Sequence, residues 1–373
     1  MTTDIVAGGD TDFMTVRRIT ASGSQREIGR ELADAARATY GWAPQPAERR
    51  KARARRLWFE RNWPQHHARM QGTADALGVD LEADELYLDG LAGVPEGSAC
   101  SVTFYPPAFT KEGSGLLGRN YDFFTVSQAG MVALMSGEPM PTDQPAWASR
   151  PHVLHSRPDD GPATIVLTMD QLDGAMEGIN EHGLAVALLM ADAQNTSMPE
   201  DGSPQVGLSG LQLPRFLLDT CATAEEARAA LYDTKQHDHG VQLHYLVADA
   251  SGDAFVWERA SGGQEYVTSS DRGALCVTNH PLFRHGTSDL PQDDAESMLT
   301  YGRYRALAAQ AEETVSGESL RAVLDGVRFD AATAEGYPVR TLWRSVFDVG
   351  ARSMSTEFYL ADGIYSPELT FEP

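Results

Sequence analysis

The sequence predicts an α+β fold built from layered sheets, and three observations carry that prediction. Helical patterns fill residues 24–94. Alternating, hairpin-like patterns take over at Gly97. Later helices then fall between strands that read as antiparallel rather than in the βαβα order of a parallel sheet. No internal repeat and no Pro/Gly-rich linker divides the 373 residues, so a single domain is expected. A chain of this length buries about three quarters of its unfolded surface and can build a large core without disulfides.

The elements follow in order. Ser24-Gln25-Arg26-Glu27 has the form of a capping box, and Ile28, Leu32 and Ala35 continue at helical spacing. Residues 46–77 are rich in Arg, Ala and Gln, with Leu57, Trp58 and Trp63 interleaved, and Pro64 breaks or kinks this helix. Glu82 to Leu91 reads as a short helix. Strands are expected at Cys100–Tyr105, Leu116–Phe124, Thr164–Met169, Ala175–Ile179 and Leu184–Met190, with turn residues between them. Residues 136–162, polar and Pro-rich, read as a long loop or an insertion. Thr223-Ala-Glu-Glu226 opens a helix through Leu231. The β pattern returns at His244–Ala248, Ala254–Glu258 and Ala274–Thr278. Residues 294–313 and 317–327 read as helices, and Ser353–Leu360 as a late strand.

Composition excludes several classes of function. There are 30 basic and 53 acidic residues, a formal charge of −23. A phosphate backbone needs a basic face, so nucleic acid is not an expected partner, and anionic membrane surfaces are disfavoured for the same reason. No apolar run approaches the ~20 residues of a membrane span. The N-terminal MTTDIVAGGDTDF lacks the basic and apolar regions of a signal peptide. Cys100, Cys221 and Cys276, odd in number and widely spaced, suit a reducing compartment. A cytoplasmic protein is expected, with a homo-oligomer left open.

Motifs that suggest cofactors have simpler readings. Gly113-Ser-Gly115-Leu-Leu-Gly118 matches G-x-G-x-x-G, but an aromatic strand follows where the dinucleotide fingerprint needs a helix, so it reads as a hairpin turn. His237, His239 and His244 lie close in sequence, as do His280 and His285, yet no H-E-x-x-H or C-x-x-C accompanies them. They read as surface histidines of polar loops, with no metal and no organic cofactor. The run Arg49, Arg50, Lys51, Arg53, Arg55, Arg56 reads as a solvated helix face, or one that pairs with acidic groups elsewhere in the chain. Cys221 and Cys276 sit in apolar patterns and read as inert buried thiols. Cys100 differs: it follows a stretch of small residues and heads a strand where the pattern switches from helical to β.

Four segments extend that observation: Cys100-Ser-Val-Thr-Phe, Leu116-Leu-Gly-Arg119-Asn-Tyr-Asp122-Phe, Gly178-Ile-Asn180-Glu-His-Gly183-Leu and Val277-Thr-Asn279-His-Pro281. Together they resemble the N-terminal-nucleophile (Ntn) hydrolases that act on linear amides. That group includes choloylglycine hydrolases, penicillin V acylase and acyl-CoA:6-aminopenicillanate acyltransferase. The long segment before the cysteine looks more like the acyltransferase branch. The resemblance runs from Glu27-Ile-Gly-Arg to Thr341-Leu-Trp. It implies a four-layer αββα sandwich with an N-terminal helical leader. It also implies self-cleavage between Ala99 and Cys100, leaving residues 1–99 as leader and 100–373 as catalytic chain within one domain.

Residue by residue, the resemblance makes Cys100 the nucleophile and sets Arg119 and Asp122 beside its thiol and α-amine. Asn279 becomes the amide that donates to the oxyanion, and Arg303, in Tyr-Gly-Arg-Tyr, matches an arginine near the start of a late helix. Two departures stand out: a longer interval between Cys100 and Arg119 than in the bile-salt branch, and Ala99 where glycine is frequent. The residue types suit the chemistry. A thiol with a pKa of ~8.5 needs a base, and a free α-amine with a pKa of ~7.7–8.0 can take its proton. The implied activity is cleavage of a small-molecule amide through a thioester. The alternatives are acyl transfer to an amine, a non-catalytic binding protein that kept the fold, and a papain-like protease. The last lacks a Trp after Cys100 and has no place for the Arg119/Asp122 pair.

Overall fold

A computed structural model describes residues 1–90, 99–141, 143–169, 172–191, 206–236, 242–260, 263–270, 272–285, 289–294 and 297–373. Among these, the strands form two sheets of nine and seven strands. The larger runs, in spatial order, β1 (Thr2–Gly8), β2 (Thr15–Gly23), β5 (His152–Pro158), β6 (Thr164–Thr168), β7 (Glu177–Asn180), β8 (Ala185–Met190), β9 (Leu243–Ala248), β10 (Ala254–Arg259) and β11 (Glu265–Thr268). Its neighbours are antiparallel except β2 and β5, which run parallel. The smaller runs β12 (Leu275–Val277), β3 (Ala99–Tyr105), β4 (Leu116–Phe124), β13 (Val339–Asp348), β14 (Ser353–Ala361) and β15 (Ile364–Tyr365), with β16 (Leu369–Phe371) also pairing β14.

The helices are α1 (Gln25–Tyr40), α2 (Arg49–Asn62), α3 (Pro64–Leu77), α4 (Gln128–Ser136), α5 (Gln212–Thr220), α6 (Ala224–Asp233), α7 (Thr300–Ala308) and α8 (Gly317–Asp325). Helices α1, α5 and α6 cover the outer face of the nine-stranded sheet, while α7 and α8 cover that of the seven-stranded one. The inner faces meet through β3 against β8 and β14 against β7. This is the four-layer αββα sandwich that the sequence resemblance implies. Both faces of the central strands are therefore covered. Every residue of β3, β4, β6, β7 and β8 is buried, so their polar residues must find partners inside the protein.

The capping box at Ser24 and Glu27 is formed, and α1 ends at Gly41 in the left-handed conformation, φ 66°. The break expected at Pro64 falls at Trp63, and Pro64 then opens α3, where its missing N–H costs nothing. Helices α1 and α3 touch backbone to backbone. A Cβ on Gly29 would lie 2.2 Å from the Arg69 carbonyl oxygen, and one on Gly72 would lie 2.0 Å from that of Arg26.

Several expectations are corrected. Residues 82–91 do not form a helix: a single 3-10 turn, Leu81–Ala83, is followed by non-helical chain through Gly90, and residue 91 lies outside the described residues. Ala47 and Tyr87 donate backbone hydrogen bonds across to Glu85 and Gln45, which replaces helical pairing there. The stretch 136–162 is not all loop, because β5 lies in it and pairs with β2. The helix expected over 294–313 is confined to α7. The first 23 residues contribute β1 and β2, and α4, α5, β11 and β13 are further elements absent from the sequence reading.

The basic run of α2 is only partly solvated. Arg55 is buried and pairs with Asp89, Arg56 pairs with Asp84 at 2.8 Å, and Arg49 pairs with Glu85. Gly113, at φ 70°, lies in the connection between β3 and β4, as the hairpin reading of G-x-G-x-x-G requires. No helix is long and apolar enough to cross a membrane among the described residues.

Candidate active site

The sheet register gathers the candidate residues at one end of the seven-stranded sheet. Cys100 is the second residue of β3, and Ala99 lies opposite Asp122 of β4. Asp122 in turn lies opposite Thr341 of β13. On the other side β12 pairs with β3, Val277 opposite Val102, and the next residues carry the chain past Cys100 to Asn279. Arg119 is opposite Val102.

Strand alternation then divides the work between two faces. The Cys100 side chain belongs to the core between the sheets. Arg119, from the neighbouring strand, sends Nη2 to within 3.8 Å of its Sγ. The guanidinium is fixed from the nine-stranded sheet. Nη1 donates to the Met176 carbonyl at 2.8 Å and to Glu177, and Nη2 donates to the Leu188 carbonyl. Glu177 is itself held by Ser345 Oγ and by Trp343 Nε1 at 3.1 Å. Trp343 stacks on Tyr121 with centroids 3.8 Å apart, and Arg119 lies over the Tyr121 ring.

The main chain of Cys100 is held separately. Its N–H donates to Asn279 Oδ1 at 2.8 Å, and its carbonyl accepts from Arg303 Nη1 at 2.6 Å. Arg303 also donates to Ser101 Oγ at 2.9 Å and, through Nη2, to Asn279 Oδ1 at 2.7 Å. The Asn279 amide nitrogen donates to the Met190 carbonyl at 2.7 Å, so this side chain bridges the two sheets. Arg303 sits on the first turn of α7, whose amides at Tyr301 and Gly302 are capped by Asp293 at 3.0 and 2.7 Å. Just before α7, Met298 and Leu299 adopt left-handed backbone conformations, φ 50° and 56°. This turn aims the Met298 carbonyl at Arg303 Nε and Nη2, at 3.2 and 3.1 Å.

Electrostatics follow from burial. Cys100 is 1% exposed, and burial pushes its thiol above the ordinary range, while Arg119 pulls the other way. Burial also raises the Asp122 carboxyl to about 7, against the pull of Arg303, whose Nη1 is 3.9 Å away, and of the Thr341 hydroxyl that donates to it. Cys221 and Cys276 are buried, and desolvation raises both thiols, Cys276 to about 11. Their sulfurs lie beside threonine hydroxyls, Cys276 Sγ 3.3 Å from Thr103 Oγ1 and Cys221 Sγ 3.6 Å from Thr220 Oγ1.

All five residues singled out from the sequence thus meet within one buried network. Sequence reasoning missed Glu177, Thr341 and the carbonyls of Met190 and Met298. A signal existed for Glu177, a carboxylate inside the apolar run Ala175-Met-Glu-Gly-Ile179. The histidine reading is corrected for two positions: His244 and His280 are fully buried, and burial lowers His280 to about 3, keeping it neutral. His237 and His239 lie outside the described residues. Among the described residues no group of three or more His, Cys, Asp or Glu side chains is placed to hold a metal.

Two face-to-face sheets flanked by helices, with a cysteine near the start of an inner strand, make up the αββα arrangement that the sequence resemblance to the Ntn enzymes implies. The family model described as acyl-coenzyme A:6-aminopenicillanic acid acyl-transferase matches residues 109–359, and the chain belongs to that family. No curated protein matches.

Solved structures similar to the chain include a mutant of conjugated bile acid hydrolase from Clostridium perfringens. It is 14% identical with a TM-score of 0.47, over 74% of this chain and 92% of that one. Penicillin V acylase from Agrobacterium tumefaciens is 18% identical with a TM-score of 0.46, over 73% and 86%. The Caenorhabditis elegans ortholog of N-acylethanolamine-hydrolyzing acid amidase is 15% identical with a TM-score of 0.40, over 67% and 93%.

Proposed function

We propose that the protein is a self-processing cysteine amidohydrolase that uses Cys100 as nucleophile. The observation that carries this reading is the separate grip on three atoms of one residue: Sγ by Arg119, N by Asn279 and O by Arg303. A cysteine that served only as core packing would still need partners for its buried N–H and C=O, but it would not need a buried guanidinium beside its sulfur.

Processing begins when Cys100 Sγ adds to the Ala99 carbonyl carbon. The peptide C–N bond breaks, the Cys100 nitrogen leaves as an amine, and a thioester joins Ala99 to sulfur. Water then cleaves the thioester, giving an Ala99 carboxylate, a free thiol and a free α-amine. The buried thiol is mostly protonated in the uncut chain, so the new amine supplies the missing base. In this reading Asp122, opposite Ala99 in the β3–β4 register, holds the resulting ammonium.

In turnover the amine takes the thiol proton as sulfur attacks a substrate amide, then returns it to the departing amine. An amide nitrogen carries two N–H groups, so Asn279 can hold the Met190 carbonyl and an oxyanion together. One such donor is typically worth ~10²–10³ in rate. A second reading rests on the family match: an amine in place of water resolves the thioester, and the enzyme transfers the acyl group.

Intact-mass measurement tests the first step. Purified protein should contain chains of 99 and 274 residues (373 − 99), and Cys100→Ala should remain one chain without turnover. Wild-type protein that stays uncut yet hydrolyses amides would overturn self-processing.

A further inference from the structure

The turn that carries Asn279 belongs to the seven-stranded sheet, but part of its anchorage comes from the other one. Glu258 on β10 is buried, 2% exposed, and its carboxylate accepts the backbone N–H groups of Leu282 at 2.8 Å and Phe283 at 3.2 Å. These amides lie three and four residues past Asn279, immediately after Pro281. His244 on β9 is opposite Glu258 in the register, and its Nδ1 lies 3.0 Å from Glu258 Oε1. The near end of the same turn is fixed by Thr300, whose hydroxyl accepts the Asn279 N–H at 2.9 Å and whose carbonyl accepts from Thr278 Oγ1 at 3.0 Å. The segment 278–283 is therefore pinned at both ends, by α7 on one side and by a buried carboxylate of the facing sheet on the other.

A fully buried carboxylate is costly to desolvate unless charge-assisted hydrogen bonds satisfy it. Here two of those bonds go to the backbone beyond Asn279, so the cost is tied to the geometry of that turn. Hydrogen-bond donation to an oxyanion needs the donor held to within about 0.5 Å. We propose that Glu258, backed by His244, is a positioning residue for Asn279. It holds the turn so that the Asn279 amide keeps its orientation between Cys100, Met190 and Arg303. The inference rests on the reading of Asn279 as a group that acts on the reacting carbonyl.

The test is a double-mutant cycle on the processed enzyme, with 4-nitrophenyl acetate as the acyl donor and kcat and KM as readouts. Glu258→Gln keeps the size and one acceptor oxygen but loses the charge. It should lower kcat about tenfold or more and leave KM within about twofold, as expected when only transition-state stabilisation is lost. In an Asn279→Ala background the same change should cost almost nothing further, because the group it positions is gone. His244→Asn leaves the carboxylate in place and should show the same pattern at a smaller size, about threefold. It carries the comparison if Glu258→Gln does not fold.

A folded Glu258→Gln enzyme with kcat within twofold of wild type would overturn the proposal. So would a full further loss on top of Asn279→Ala, which marks a general structural role. Wild-type kcat in Asn279→Ala would instead overturn the reading of Asn279 itself, so the two failures are distinguishable.

Discussion

Asp122 is a carboxyl group surrounded by more protein than a charge tolerates. Its burial holds the folded pKa at about 7, above an ordinary value near 3.8. The folded uncut chain therefore binds this proton more tightly than the unfolded chain does. The resulting stabilisation is fully present below about pH 4 and is lost as pH rises through about 7. As pH is raised from 5 to 8, the uncut Cys100→Ala protein should lose melting temperature relative to the same protein carrying Asp122→Asn, because only the former gives up this contribution. Parallel melting curves in the two proteins would place the titration elsewhere. In the proposed mature enzyme an ammonium appears beside the carboxylate and favours its charged form, so the sensitivity should weaken. The cysteine, Arg119 and Asp122 were legible in the sequence because they lie within 22 residues on one hairpin, where strand pairing fixes their relation. Glu177 and Thr341 were not. Each acts on a partner across the sandwich or along a distant strand, and nothing local marks a carboxylate or a hydroxyl for that duty.

Among the elements, legibility follows the range of the interactions that hold them. Strands β3, β4 and the β7–β8 hairpin are short-range antiparallel units, and their apolar runs predicted them. The pairing of β2 with β5 joins residues 17–23 to 152–158, so no local pattern could reveal it. The expected helix at 82–91 failed for the converse reason, since backbone pairing with residues 45–47 overrides its propensity. Helix α3 shows how the segment before Cys100 is bound to the rest. Arg69, itself buried, reaches the partly exposed Asp173 at 2.6 Å and the buried Asp219 and Gln25 at 2.8 and 2.7 Å. The α1–α3 contact that places it depends on Gly29. Gly29→Ala should destabilise the protein by about 1–3 kcal/mol, because the new methyl group meets backbone that must move apart. Urea unfolding checks this, and an unchanged midpoint would mean that the helices separate freely. Leucine at the same position should prevent folding.

At the scale of the whole molecule, two buried imidazoles are held neutral by desolvation, His152 at about 4 and His280 at about 3. Their folded pKa values lie below the ordinary 6.5. Their stabilising contribution is therefore present above about pH 6.5 and is lost as pH falls toward 4 and 3, while the unfolded chain takes up protons that the fold refuses. The urea midpoint should fall between pH 7 and 4.5, and His280→Gln should make that fall shallower. An identical pH dependence in the variant would exclude His280 as a contributor.

The hydrogen-bonded circle around Cys100 is drawn from residues 100, 119, 279, 303 and 341, closed by the last of these through Asp122. On a ribosome extending the chain by about 5–20 residues per second, the nucleophile emerges more than ten seconds ahead of the strand that completes its surroundings. If that circle is what makes the thiol attack Ala99, the scissile bond stays intact throughout synthesis. Under the proposed self-processing, the order of residues along the chain would act as a clock that delays self-cutting until both sheets have closed. A nascent chain stalled before residue 339 should remain whole however long it waits.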